Sequence, residues 1–359
     1  MNKKQLFLHI GTQKTGTTTI QSILSKTKKK LESEGIAYLG RFAIPARKLR
    51  VVTEQNTEVE NQIQSALENE LREFENSNCK TFVVSNEKFS GDKMIAYRNS
   101  GLIAASLKRI FEPYNFDVKI IVFVRRQDKF IESTYAQRIY SGASLTFYEF
   151  LDQFTESDFH WSDLLDSYAA AFGKENILAQ AFDRKYLPDE NSLIHNFGKI
   201  IGSESLSDFS GKVLKNQGYS RNTLEIARLT NKHLDKREMR SLRDILREAD
   251  PKKRSYSFFS SNERKAFLKN YEESNSRVAK EYFGFSHGNL FSEPIFTDSE
   301  EQNEHGYKGL DAEKVAVILS KAMIVLKRDY TNKIKETEQQ LSSRQFFKKI
   351  VNKIRRTLP

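Results

Sequence analysis

Lys14, Thr15, Gly16, Thr17 and Thr18 follow a short apolar run, Leu6, Phe7, Leu8 and Ile10, and precede a segment with Ile20, Ile23 and Leu24 at helical spacing. A lysine, two glycines (Gly11 and Gly16) and adjacent hydroxyls within one turn are equipment for holding an oxyanion. The glycines let the backbone approach without a Cβ in the way, while the loop N–H groups and the positive end of the next helix point at one anion. The stretch reads as a phosphate cradle. It departs from the common nucleotide loop, in which Lys and then Ser/Thr directly follow the second Gly to reach the outer phosphates and hold magnesium. Here Gly11 and Gly16 keep the spacing but Thr17 stands where that Lys belongs, so Lys14 must reach the anion from inside the turn. The plain alternative is a glycine turn between a strand and a helix.

The elements that must position this loop are legible as alternating strand and helix patterns. Leu6 to Ile10 is a strand; Gly35 ends the first helical region and Ile36 to Leu39 forms a second strand. Residues 54–76 read as a solvated helix with Val59, Ile63, Leu67, Leu71 and Phe74 on one face. Thr81 to Ser85 is a third strand running into Asn86, Glu87 and Lys88, and Val118 to Val124, VKIIVFV, is the most strand-like run in the chain and central to the sheet. Asn176 to Phe182 is a fifth strand, and helices follow around 190–201, 221–234 and 262–282. The order predicts an α/β fold, a P-loop-type parallel β-sheet flanked by helices with additional C-terminal helices. The acidic, polar stretch Thr297 to Gly309 divides a main domain, 1–296, from a connector and C-terminal helical extension, 297–359.

In two places the chain resembles the sulfotransferases that use 3'-phosphoadenosine-5'-phosphosulfate, PAPS. The loop Lys14, Thr15, Gly16, Thr17, Thr18 matches the family's 5'-phosphosulfate loop of form Lys-x-Gly-Thr-Thr, and VFVRRQDKFIESTYAQ matches its second signature, with Arg125 at the strand end and Ser133 eight positions later. The resemblance covers roughly residues 5–290 and implies that Arg125 and Ser133 grip the 3'-phosphate; a guanidinium fork suits a phosphate dianion, and a hydroxyl adds a second donor. WSDLLDSYAAAFGKENILAQAF and ERKAFLKNYEESNSRVAKEYFG also look like bacterial members thought to act on carbohydrates. The Arg-Lys-Gly loop of the cytosolic steroid and phenol enzymes has no clear counterpart; Lys215, Asn216 and Arg221 are the nearest stand-ins. Sulfuryl transfer needs a base, and Glu87, at the end of the third strand where α/β sites gather, fills that role, as a strand-end glutamate does in several carbohydrate sulfotransferases. Its alternative is a carboxylate paired with Lys88 or Lys14, and the rival base is His9. Lys14 and the loop N–H groups would stabilise the departing phosphate, with no metal expected. Arg126, Gln137 and Arg138 are candidates to meet an anionic or polyhydroxylated acceptor, or plain surface charge.

A net charge of +11 and 29% charged residues call for acidic partners, but six of the positive charges lie between Arg344 and Arg356, which leaves the body mildly basic and weakens a nucleic-acid reading. No apolar run reaches the length of a membrane span, and the first strand starts too early for a signal peptide to precede it, so a cytoplasmic, bacterial-type enzyme is expected. One cysteine, Cys79, excludes an internal disulfide or a cysteine-based metal site. RQFFKKIVNKIRR, residues 344–356, puts Phe346, Phe347, Ile350, Val351 and Ile354 at helical spacings among basic residues, as a helix at an anionic membrane surface or docked on protein would. Two rivals stand beside the sulfotransferase reading. A P-loop kinase or NTPase would need the Walker lysine and a strand-end aspartate, both missing from their places, and a non-catalytic polyanion-binding protein would carry the loop as a relic.

Overall fold

Apolar runs without polar alternation form strands buried on both faces, and a sheet made of them needs a helical layer on each side. The computed structural model describes residues 3–40, 42, 45–51, 54–189, 191–212, 220–250, 257–292 and 312–355, with 341–355 given by helical backbone alone. The chain begins with β1 (Gln5–Gly11), α1 (Thr17–Lys26), α2 (Lys28–Ser33), β2 (Ile36–Tyr38), α3 (Thr57–Arg72) and β3 (Thr81–Ser85). There follow α4 (Ser100–Phe111), β4 (Asp117–Val124), α5 (Gln127–Tyr140), α6 (Phe147–Leu151), α7 (Trp161–Phe172) and β5 (Ile177–Ala181). The remainder is helical: α8 (Ser192–Ile201), α9 (Glu204–Ser207), α10 (Arg221–Asn231), α11 (Lys236–Ala249), α12 (Ser261–Lys269), α13 (Glu272–Phe283) and one long helix, Ala312–Arg355.

The five strands form one sheet of order β2-β3-β1-β4-β5, with every neighbouring pair parallel. β1 is therefore central, and the chain visits β2 and β3 on one side before crossing to β4 and β5 on the other. That reversal is the topological switch point at which open α/β sheets place their ligands. One face of the sheet carries Phe7, Val83, Ile121 and Phe123 against Ile20, Ile23 and Leu24 of α1 and Ile194 and Phe197 of α8, all buried. On the other, Leu6, Leu8, Phe82, Ile120 and Val122 are wholly buried on the side of α4 and α7.

The structure resolves into two compact units, and the chain passes between them within α5. One comprises the described residues of Met1–Thr134, Tyr148–Lys215 and Phe259–Gly306 and contains the whole sheet; the other comprises those of Tyr135–Phe147, Asn216–Phe258 and Tyr307–Pro359 and is helical. In the second unit Asn231 ties α10 to the end of α5 through Ile139 O (2.8 Å) and Ala143 O (2.7 Å). Ile318, Ala322 and Val325 of the long helix are buried, and that helix packs on α10 and α11. The connector 297–309, Lys215, Asn216 and the side chains of the basic segment 344–356 lie outside the described residues.

Candidate functional site

The carboxyl ends of β3, β1 and β4 deliver, side by side, Glu87, the loop Gly11 to Thr18 and Arg125. The β1 loop presses so closely on the chain after β3 that a Cβ on Gly11 would sit 3.0 Å from Glu87 Cα, at a backbone φ of +100° that side-chain-bearing residues rarely adopt. Thr12 fixes the other side by donating to Phe123 O from its N–H (3.0 Å) and its hydroxyl (3.1 Å). At the far end of the loop a Cβ on Gly16 would lie 2.4 Å from Leu193 Cδ2, again at positive φ (+83°). Lys14 itself is left-handed, with φ 69°.

Inside the loop the Thr15 and Thr17 hydroxyls both turn inward, to Thr12 O at 2.6 and 3.4 Å, while Thr18 is exposed. The Thr17 and Thr18 N–H groups open α1, where helical amides have no partner within the helix, and the α1 first turn carries no acid. The loop's own hydroxyls stiffen it, and its helix-terminal N–H groups have the chemistry to receive an anion.

Arg125 is held in two directions. Its Nη1 donates to Lys14 O at 3.2 Å, and its guanidinium lies 5.7 Å from the centre of the Phe182 ring, just past β5. The Arg125 carbonyl accepts from Trp161 Nε1 at 2.8 Å, and Trp161 is wholly buried. Ser133 is half-buried in α5, and its hydroxyl has no protein partner among the described residues. The Glu87 carboxylate meets Lys88 Nζ at 3.6 Å and Gln21 Nε2 of α1 at 3.3 Å, and Gln21 also donates to Ser85 O at 2.9 Å. Beneath Glu87, Gln13 Nε2 donates to Glu87 O (3.0 Å) and Gly91 O (3.3 Å), and the Tyr97 hydroxyl closes the network on Gln13 Oε1.

Lys14, Glu87 and Arg125 therefore share one edge of the sheet, and the pairing of Glu87 with Lys88 is present as well. His9 is wholly buried on the α8 side of β1, hydrogen-bonded to Ser85 Oγ at 2.7 Å and edge-on to Phe123 and Phe197. Burial pushes its imidazole down to about 3, so it is a neutral core residue. Arg126, read as an acceptor contact or a surface charge, is no surface charge: it is buried and pairs with Asp128 at 2.7 Å, to which Arg264 adds a second guanidinium at 3.1 Å. Gln137 and Arg138 are exposed, and Arg221 opens α10 in the helical unit.

Gln13, Gln21, Tyr97, Trp161 and Phe182 were not singled out by sequence. Only Trp161, the one tryptophan, carried a signal. Among the described residues no group of three or more His, Cys, Asp or Glu is placed to hold a metal, and no helix is long and apolar enough to cross a membrane.

No protein-family model matches the chain. A protein of Archaeoglobus fulgidus described as uncharacterized is 28% identical over 179 residues, which is 49% of this chain and 48% of that relative, so the match spans about half of each. Among solved structures, a sulfotransferase from Alicyclobacillus acidocaldarius aligns over 67% of this chain and 99% of its own, with 16% identity and a TM-score of 0.36.

Proposed function

We propose that the chain transfers a sulfuryl group from PAPS to a hydroxyl of a carbohydrate or glycan. The observation that carries this reading is the meeting of the Lys14 loop, Glu87 and Arg125 at the carboxyl edge of three adjacent strands, with Arg125 hydrogen-bonded directly to the loop. The donor set there, lysine, guanidinium, hydroxyl and helix-terminal N–H, is the chemistry of oxyanion binding and fits a phosphosulfate. Glu87 accepts the acceptor hydroxyl proton. The acceptor oxygen then forms its bond to sulfur as the bond from sulfur to the 5'-phosphate oxygen breaks. Lys14 and the Gly16 to Thr18 N–H groups carry the charge left on that phosphate, and Arg125 with Ser133 holds the 3'-phosphate. Calorimetry tests the donor: 3',5'-adenosine bisphosphate should bind far better than AMP or ATP and without magnesium. Equal affinity for AMP, or a strict need for magnesium, would point to a kinase or NTPase instead.

A specific observation also favours peripheral contact with an anionic membrane. On the long helix Leu319, Met323, Leu326 and Tyr330, at i, i+4, i+7 and i+11, are 46, 71, 50 and 70% exposed, a stripe separate from the buried Ile318, Ala322 and Val325. The same helix runs into the segment with six basic residues and no acid. An apolar stripe leading into uncompensated positive charge fits the interface of an anionic bilayer.

A further inference from the structure

In the helical unit, α11 carries Lys236, Arg240, Arg243 and Arg247 at i, i+4, i+7 and i+11, one straight stripe roughly 16 Å long at 1.5 Å of rise per residue. Among the described residues the stripe makes no ion pair. Of the acids at α11, Asp235 and Glu238 close the capping box at its start, Glu248 pairs with Arg328 of the long helix, and Asp244 is exposed and makes no ion pair with the stripe among the described residues. Among the described residues no carboxylate lies within ion-pair distance of Arg243 or Arg247. Like charges a turn apart repel, a cost to the helix that a bound anion would relieve.

The last two arginines are also ordered. Their guanidinium carbons lie 4.6 and 4.7 Å from the centre of the same ring, Tyr140, at the end of α5. Their Nε atoms are buried with no hydrogen-bond partner. The ring restrains both guanidiniums, whose planar forks have the paired N–H geometry that sulfate and carboxylate accept. Leu246 and Ala249 are the buried apolar residues of α11, and Arg243 and Arg247 flank them by packing on Tyr140, whereas Lys236 and Arg240 are exposed.

We infer that the α11 stripe is a binding surface for a linear polyanionic glycan, with Arg243 and Arg247 on Tyr140 as its fixed oxyanion clamp and Arg240 and Lys236 extending the contact. The repeat of cations along a line suits a chain bearing sulfate or carboxylate groups in series. The choice of a glycan rests on the sulfotransferase reading, in which the acceptor is a saccharide. The aromatic ring at the stripe, Tyr140, is engaged by the two guanidiniums, which disfavours single-stranded nucleic acid, whose bases stack on such faces.

The test is fluorescence anisotropy on the full chain with a short labelled sulfated oligosaccharide, a uronate oligosaccharide and an uncharged parent of the same length, and single-stranded DNA of matched charge. One or both anionic saccharides should bind, more weakly as salt rises from about 50 to about 200 mM, and the uncharged one should not. Arg243→Gln with Arg247→Gln should weaken binding about tenfold or more, as expected for loss of two charged donors, and Arg243→Lys with Arg247→Lys should lose less because charge stays and the fork goes. Should the Gln pair lower the melting temperature, Lys236→Gln with Arg240→Gln, both exposed, should still cost about threefold, in keeping with the modest weight of rim charges. Affinity unchanged in every variant, or DNA bound as tightly as the anionic saccharides, overturns the proposal. Calorimetry with 3',5'-adenosine bisphosphate on the same samples separates the two readings. Saccharide binding without nucleotide binding would sink the sulfotransferase reading and keep this surface; the reverse result would do the opposite.

Discussion

Glu87 sits between two cations or donors of different character, and what each does decides the chemistry. Lys88 at 3.6 Å offers charge, whereas Gln21, at 3.3 Å from the carboxylate and 2.9 Å from Ser85 O, offers position. Glu87→Gln should cost about a hundredfold or more in transfer, the usual weight of a general base, with the affinity for 3',5'-adenosine bisphosphate unchanged. Turnover near wild type would remove Glu87 from the role. Gln21→Met should lower kcat about tenfold and leave donor affinity alone, because it unfastens the base without touching the Lys14 loop. Arg125→Ala should instead act on donor binding, by about 2–5 kcal/mol if a phosphate loses a desolvated fork. The loop lysine, its glycine and hydroxyls, and Arg125 were legible because they fall within short stretches of fixed spacing. Gln21 and the Gln13 to Tyr97 pair were not. Their partners lie 64 to 84 residues away in sequence, and glutamine between apolar helix positions gives no sign of what it will face. His9 shows the same limit from the other side: a strand histidine reads as a rival base until the sheet buries it against Phe197.

Strand runs were legible for a simple reason: VKIIVFV and TFVVS are too apolar to alternate, and both became interior strands. Their order was not, because periodicity reports which residues are buried and says nothing about which strand crosses to which side of β1. Nor did α5 show its cost in advance. Its first turn buries Asp128, which takes Arg126 at 2.7 Å and Arg264 of α12 at 3.1 Å, while Arg264 also reaches Glu132 at 3.4 Å. This cluster anchors the start of α5, directly after Arg125. Burial pushes the Asp128 carboxyl up, but hydrogen bonding and charge from Arg126, with Arg264, win and leave it below its ordinary value of 3.8. A folded-state value below the unfolded one contributes stability that is complete above about 3.8 and is lost as pH falls through the folded value. Asp128→Asn should therefore cost on the order of 3–5 kcal/mol at neutral pH, since it removes the buried carboxylate that two guanidiniums share. The gap between wild type and variant should narrow below about pH 3.8, read by urea unfolding across pH. A gap that stays constant into acid would mean the cluster is held by packing and not by charge.

At the scale of the whole chain, positive charge is unevenly spread, and so is exposed apolar surface. A net charge of +11 includes six positives within residues 344–356, and the long helix leading there exposes Leu319, Met323, Leu326 and Tyr330. Apolar area supplies adhesion that salt does not weaken, and basic residues near an anionic leaflet add about 1 kcal/mol each, a contribution that salt does weaken. The two signals make separable predictions in vesicle co-sedimentation. The full chain should pellet with vesicles containing phosphatidylserine and not with neutral ones, and salt should release it. Cutting the chain after Leu341 removes the basic run and should abolish binding at physiological salt. Met323→Gln in the full chain should weaken binding at every salt concentration by removing apolar contact, while leaving the salt slope unchanged, because that slope counts the basic residues engaged. If truncation leaves binding intact, the basic run has no membrane role. If Met323→Gln instead turns a dimer into a monomer in sedimentation velocity without altering vesicle binding, the stripe joins two copies of the chain.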